Sequence, residues 1–217
     1  MKSLADSLNT LYSAFSDVPK PQRIEGCSCC ISKDEVRILL SKPLREISWS
    51  ELTSYAGSAF FTVGEECDYL YFLPRILEVA CMDESWWLDM EIIGRAIGET
   101  KPTNWPKSRL KALVDVLGAV IQEALKEEDG WAIDTWICSI ARMRLDIVPF
   151  LEQIETSPLA LLSFYERNSM SLAKRKLANA FWERDIPGYD VVLAWFGSPR
   201  VSKIIADSYG FTSNDDQ

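Results

Sequence analysis

An all-α fold is the architecture this sequence predicts, on three observations. Apolar residues recur at helical spacing through almost every periodic segment, no run alternates apolar and polar as a half-buried strand does, and helix-start signatures precede several of the stripes. About a dozen such segments joined by short connectors fit antiparallel helix pairs, arranged either as an irregular HEAT- or armadillo-like solenoid or as a globular helical bundle. No linker is rich enough in Gly, Ser or Pro to force a boundary, so residues 1–217 read as a single domain with a frayed acidic tail at 213–217.

Each element has its own warrant. Leu4, Leu8, Leu11, Tyr12 and Phe15 form the first stripe, with Ser3 placed to cap it. A loop over 18–31 carries two prolines and a cysteine cluster. Two capping boxes follow, Ser32 with Glu35 and Ser48 with Glu51, each pair spaced to satisfy orphan N–H groups at a helix start. The second opens a helix expected to run through Leu52, Tyr55, Ala56, Ala59, Phe60 and Val63 and to end near Gly64. Helical pattern resumes over 66–80, where Pro74 predicts a kink or two abutting helices. Ser85 is placed to cap a helix carrying Leu88, Ile92, Ala96 and Ile97 and stopping at Gly98, and 101–106 is a connector. The longest helix spans 106–126, with Leu110, Leu113, Val114, Leu117, Ile121, Ala124 and Leu125 on its apolar face and Pro106 suited to its first turn. Shorter amphipathic pieces are expected at 131–142, 147–154, 158–167, 172–184, 189–196 and 199–209.

Composition removes whole classes of chemistry. The chain has 217 residues, 23 Lys and Arg against 32 Asp and Glu, and a formal net charge of −9, which argues against a nucleic-acid or anionic-membrane surface and permits a basic protein partner. It contains no histidine, so Ser-His-Asp and Cys-His arrangements, His-ligated metals and an imidazole switch are all excluded. Phosphate-binding glycine loops of the GxxxxGK[ST] or GxGxxG type are missing. The N-terminal segment has Asp6 inside it and no continuous apolar core, so no secretory signal is expected. Six cysteines in such a chain point to reduced thiols and a cytoplasmic protein, and no apolar run approaches the length of a membrane span.

Two features stand out as sites. Cys27, Cys29 and Cys30 lie in GCSCC, where the Cys27–Cys30 spacing suits a soft metal such as zinc or a redox pair. A structural zinc needs four ligands and no second CxxC exists, so the bland reading is of thiols packed as small apolar groups. The second feature is tryptophan set among carboxylates. Trp86 and Trp87 are flanked by Asp83, Glu84, Asp89 and Glu91, and on a helix these two neighbours would point about 100° apart, leaving one as an exposed anchor. Trp131 is flanked by Glu123, Glu127, Glu128, Asp129 and Asp134, a run broken by Lys126. Such runs commonly form solvated faces; the functional reading is an acidic, aromatic-studded surface that docks a basic partner. Glu127, Glu128 and Asp129 are sequential and fan out around a helix end, which is the wrong disposition for paired carboxylate catalysis.

Several segments together resemble a family of uncharacterised bacterial proteins. The matching residues are Pro43, Leu44, Arg45 and Glu46, then Leu52, Tyr55 and Gly64, then Phe72, Leu73, Pro74, Arg75 and Glu78 in an FLPRilE segment, downstream of the cysteine stretch. NAFWERD and VVLAWFGSPRV near the end extend the similarity over most of the chain, while Thr62 and Val63 stand where the pattern often has Thr-Trp. The family has no assigned activity, so the resemblance implies no catalytic residue. Small acidic proteins of this sort are often neighbours of secreted polymorphic toxins, which implies an immunity role.

The resulting expectation is a non-enzymatic, immunity-type protein that neutralises a basic toxin by covering its active surface, without nucleic acid, membrane or cofactor. The alternatives are a zinc-binding or redox-responsive protein built on the cysteine cluster, and an α-solenoid adaptor.

Overall fold

Serine starts the first helices in the manner their spacing requires. Ser3 Oγ accepts from the Asp6 N–H at the head of α1 (Leu4–Ala14), and Ser32 caps α2 (Lys33–Ser41) while Glu35 reaches back to the Ser32 N–H at 2.7 Å. The Glu51 carboxylate likewise accepts from the Ser48 N–H at the start of α3 (Trp49–Ser58). A computed structural model describes residues 2–83 and 85–210. After α3 come α4 (Glu66–Met82), α5 (Met90–Glu99), α6 (Lys107–Lys126), α7 (Gly130–Arg142), α8 (Val148–Ile154), α9 (Pro158–Leu172), α10 (Tyr189–Phe196) and α11 (Pro199–Ser208). Two 3-10 turns, Leu44–Glu46 and Pro102–Asn104, complete the helical elements. The fold is all-α: about 65% of the chain is helical, and among the described residues only isolated bridges, with no strand, are found. Among those residues no helix is long and apolar enough to cross a membrane. The tail expected to fray and Glu84 lie outside the described residues.

The chain divides into two compact units, residues 1–119 and 120–217. In the first, α4 packs on α1 and α3, and α3 packs also on α2 and α5. Leu11, Leu39, Leu52, Tyr55, Tyr69, Phe72, Leu73, Ile76, Leu77 and Ile93 are fully buried there, and each such side chain contributes about 1.5–3 kcal/mol by leaving water. Polar ties fix the helices against one another: Ser54 Oγ donates to Glu35 Oε1 at 2.6 Å between α3 and α2, and Tyr12 Oη donates to Glu78 Oε2 at 2.6 Å between α1 and α4.

In the second unit α7 packs most extensively on α9, which also meets α8 and α11, while α10 meets α8 and α11. Ile133, Ile137, Ile140, Ile154, Ala160, Leu161, Val192 and Val201 are fully buried. Phe164 and Phe196 rings pack with centroids 4.9 Å apart between α9 and α10.

Four elements differ from the sequence expectation. α3 stops at Ser58, because Phe60 takes a left-handed conformation and Val63 leaves the helical stripe to bridge Gly26. Pro74 does not split α4, which runs unbroken through it: the proline costs one backbone hydrogen bond, while Phe72, Leu73, Ile76 and Leu77 bury the same helix face. α5 begins at Met90 after Asp89, not at Ser85, so Trp86 and Trp87 belong to a connector. The helix expected over 172–184 is replaced by turns, with Arg175 at φ +52°, and α9 itself extends to Leu172.

Candidate functional sites

Of the eight tryptophans, Trp87 and Trp131 stand exposed, at 68% and 66%; the other six are buried or half-buried. Trp131 sits in the first turn of α7. Its position is set by Asp129, whose Oδ1 accepts from the N–H groups of Trp131 (2.9 Å) and Ala132 (3.1 Å), and by Glu128, which turns the chain in a left-handed conformation at φ +52°. Gly130 brings α7 against α9 so closely that a Cβ there would lie 2.4 Å from the Ser163 carbonyl oxygen. One turn along α9 from Ser163, the Arg167 guanidinium lies 3.5 Å from the centroid of the Trp131 ring.

Arg167 is itself held from below. Its Nε is 3.7 Å from Asp134 Oδ2, and Asp134 is 2% exposed. Asn168 donates to Asp134 Oδ1 (3.3 Å) and to the Phe164 carbonyl (3.2 Å), while its own Oδ1 accepts from the Ala178 N–H (2.9 Å). The sequence placed Asp134 in the acidic surface cluster. That expectation is corrected: the carboxylate is a buried anchor beneath a cation, and its partners lie more than thirty residues away on α9, out of reach of any local pattern.

Around Trp131 the carboxylates of Glu123, Glu127, Glu128 and Asp129 are exposed. Glu123 pairs with Lys126 at 2.8 Å and Asp129 is occupied in capping, which leaves Glu127 and Glu128 as the acidic groups flanking the indole that make no ion pair among the described residues. The arrangement presents a rigid aromatic plate beside negative charge, suited to contact with a basic surface.

The other tryptophan cluster lies within residues 1–119. Trp86 is half-buried and its Nε1 donates to the Leu88 carbonyl at 2.9 Å, while Trp87 is exposed, as are Met82 and Asp89. Asp83 is half-buried and accepts from the Ser85 N–H at 2.9 Å. Glu91 is 3% exposed inside α5, so its assignment to a docking surface is corrected: the helix turns it inward. Glu84 lies outside the described residues.

The cysteine cluster is brought together by its loop. Residues 25–27 pair with 62–64 through Cys27 N–H to the Thr62 carbonyl (2.8 Å) and Gly64 N–H to the Glu25 carbonyl (2.7 Å). Gly26 is needed at this bridge, since a Cβ would meet Val63 and the Thr62 oxygen at 2.9–3.1 Å. The chain then turns back, the Cys30 and Ile31 N–H groups both donating to the Cys27 carbonyl, and buried Ile31 leads straight into the Ser32 cap of α2. The Sγ atoms of Cys27, Cys29 and Cys30 lie within 4.8 Å of one another, with Cys27–Cys29 at 2.7 Å and Cys29–Cys30 at 3.7 Å. These three are the one thiol or carboxylate group of metal-holding geometry among the described residues. Cys27 and Cys29 are exposed and Cys30 is half-buried, so the reading of thiols packed as apolar core groups is corrected. The hydrogen bond with Cys29 draws the Cys27 thiol below its ordinary value, while the same contact and that with Cys30 push Cys29 up to about 11.

The PLRE and FLPR segments also meet. Arg45 of the PLRE segment lies 3.7 Å from the Tyr12 ring centroid and 3.7 Å from Glu78, and Arg75 pairs with Glu78 while its Nε donates to the Ile47 carbonyl at 2.7 Å. Burial and the bond to Glu78 raise the Tyr12 hydroxyl above its ordinary range, so it stays a neutral donor. This network fastens the 44–46 turn and α1 to α4. Compared with known proteins, the chain matches no family model, no curated sequence and no solved structure.

Proposed function

We propose that this chain is a non-enzymatic binding protein that docks a basic protein partner through the α6–α7 corner. Trp131 is the anchor and Glu127 and Glu128 supply the steering charge. The observation that carries the reading is the exposed Trp131 indole clamped by Arg167, because an aromatic already fixed before contact escapes most of the about 0.5–1.5 kcal/mol ordering cost of an immobilised side chain. Aromatic residues and arginine dominate binding hot spots, and carboxylates near them raise encounter rates with cations. A net charge of −9 works in the same direction over longer range.

The finer reading is an immunity-type inhibitor that occludes the active surface of a bacterial toxin. Its support is the resemblance of the PLRE and FLPR segments to a family of uncharacterised bacterial proteins, the frequent place of small acidic proteins of this sort beside secreted polymorphic toxins, and the acidic surface. Co-expression with the product of the adjacent gene tests it. A stable one-to-one complex with a basic, toxic polypeptide, which loses toxicity on binding, supports the inhibitor; a non-toxic partner makes the chain an adaptor; no complex with any basic neighbour contradicts the docking reading.

A further inference from the structure

We propose that Cys27, Cys29 and Cys30 form a trithiolate site for Cu(I), bound by three sulfurs of one chain. The site is separate from the docking corner in both residues and chemistry, so neither reading depends on the other.

Three features of the loop argue for a metal rather than for three unrelated surface thiols. The sulfurs converge, with every pair inside 4.8 Å. Metal–sulfur bonds of about 2.3 Å place sulfurs about 3.8–4.0 Å apart around a tetrahedral or trigonal ion. Cys29 and Cys30, at 3.7 Å, already have that separation, and Cys27 and Cys29 need only open from 2.7 Å by side-chain rotation. The backbone that carries them is fixed at both ends, by the Gly26–Val63 bridge on one side and by buried Ile31 and the Ser32 capping box on the other. Fixed ends remove most of the ordering cost that a flexible loop would meet on closing round an ion.

The donor set then selects the ion. All three donors are soft thiols, the chain has no histidine, and the cluster contains no carboxylate among the described residues. Structural zinc closes a tetrahedron with four protein ligands, which this loop does not offer. Thiolate-only coordination favours Cu(I) among the soft ions, and a d10 monovalent ion is content with three sulfurs. The exposure of Cys27 and Cys29 leaves an open path for entry and for transfer to another thiol ligand. Binding is a ligand exchange without electron transfer: Cu(I) gains three Cu–S bonds, and the three thiol protons pass to the buffer.

The test uses the reduced full-length protein under anaerobic conditions, titrated with Cu(I) as its acetonitrile complex against the chromophoric chelator bicinchoninate. The expected result is withdrawal of one Cu(I) per chain from the chelator, with three sulfur neighbours in X-ray absorption. Cys27→Ser, Cys29→Ser and Cys30→Ser should each weaken retention about 10-fold or more, while Cys67→Ser and Cys81→Ser leave it unchanged. Far-UV circular dichroism checks that the variants keep the fold. Wild-type retention no better than that of Cys29→Ser, half an equivalent bound per chain, or Zn(II) held more tightly than Cu(I) in a parallel titration overturns the proposal.

Discussion

The Arg167 guanidinium lies 3.5 Å from the centroid of the Trp131 ring, and its Nε is 3.7 Å from the buried carboxylate of Asp134. An exposed surface residue is thereby tied to the core of its unit through a single cation. The same contact serves stability on its inner side and presentation on its outer side, and the two can be separated by substitution.

Removing the cation exposes its structural share. Arg167→Met keeps much of the stacking area but removes the cation 3.7 Å from Asp134, which is 2% exposed. Breaking one partner of a buried pair costs about 3–5 kcal/mol, and the 3.7 Å separation and remaining Asn168 bond place this case at about 3. Urea denaturation should show that loss, and Asp134→Asn in the same chain should restore a good part of it. Additive losses in the double variant would show that the two residues are not coupled.

Gly130 is predicted to tolerate no side chain. A Cβ 2.4 Å from the Ser163 carbonyl must push α7 away from α9, and such overpacking costs about 1–3 kcal/mol. Gly130→Ala should lower the thermal midpoint and shift the Trp131 emission, because the indole loses its register with Arg167.

The carboxylates at the corner should act on rate rather than on residence. Glu127→Lys and Glu128→Lys reverse exposed charges that make no ion pair among the described residues. Stopped-flow association with the basic partner should slow by about 10-fold at low salt and converge with wild type at high salt, with dissociation unchanged. A dominant effect on dissociation would place these residues inside the contact instead of at its rim.

Two capping boxes predict acid sensitivity of the first unit. Hydrogen bonds from Ser54 and Ser32 hold the Glu35 carboxyl below its ordinary value of 4.5, and the bond from Lys42 with that from the Ser48 N–H does the same for Glu51. A depressed folded-state value gives stability that is complete above the unfolded value and is lost as pH falls through the folded one. Unfolding free energy should therefore decline from about pH 5 downward, and Glu35→Gln with Glu51→Gln should flatten that decline while lowering stability at about pH 7. An unchanged slope in the double variant would assign the acid dependence to other groups.

What could be read from the sequence was local. Ser32 with Glu35, Ser48 with Glu51, Pro158 and Gly130 mark helix ends because capping acts over three or four residues, and α6 and α10 follow their apolar stripes. What could not be read depended on distant partners. Nothing near Asp134 announces Arg167 or Asn168, and nothing near Glu91 shows that its side of α5 is the buried one. The stretch after Leu172 has an amphipathic pattern yet turns instead, where Asn168 accepts the Ala178 N–H and Arg175 adopts a left-handed conformation. The cysteines announced themselves by spacing, but their convergence depends on the bridge from Gly26 to Val63, 37 residues further on. Cys67, by contrast, stays outside the cluster.

Titration calorimetry of the adjacent gene's purified basic product into wild type and Trp131→Ala tests the central claim most directly. Loss of a central aromatic anchor costs at least about 2 kcal/mol, so the variant should bind about 30-fold more weakly while its unfolding midpoint stays where it was. Equal affinity of the two proteins for that partner, or no binding by either, contradicts the account.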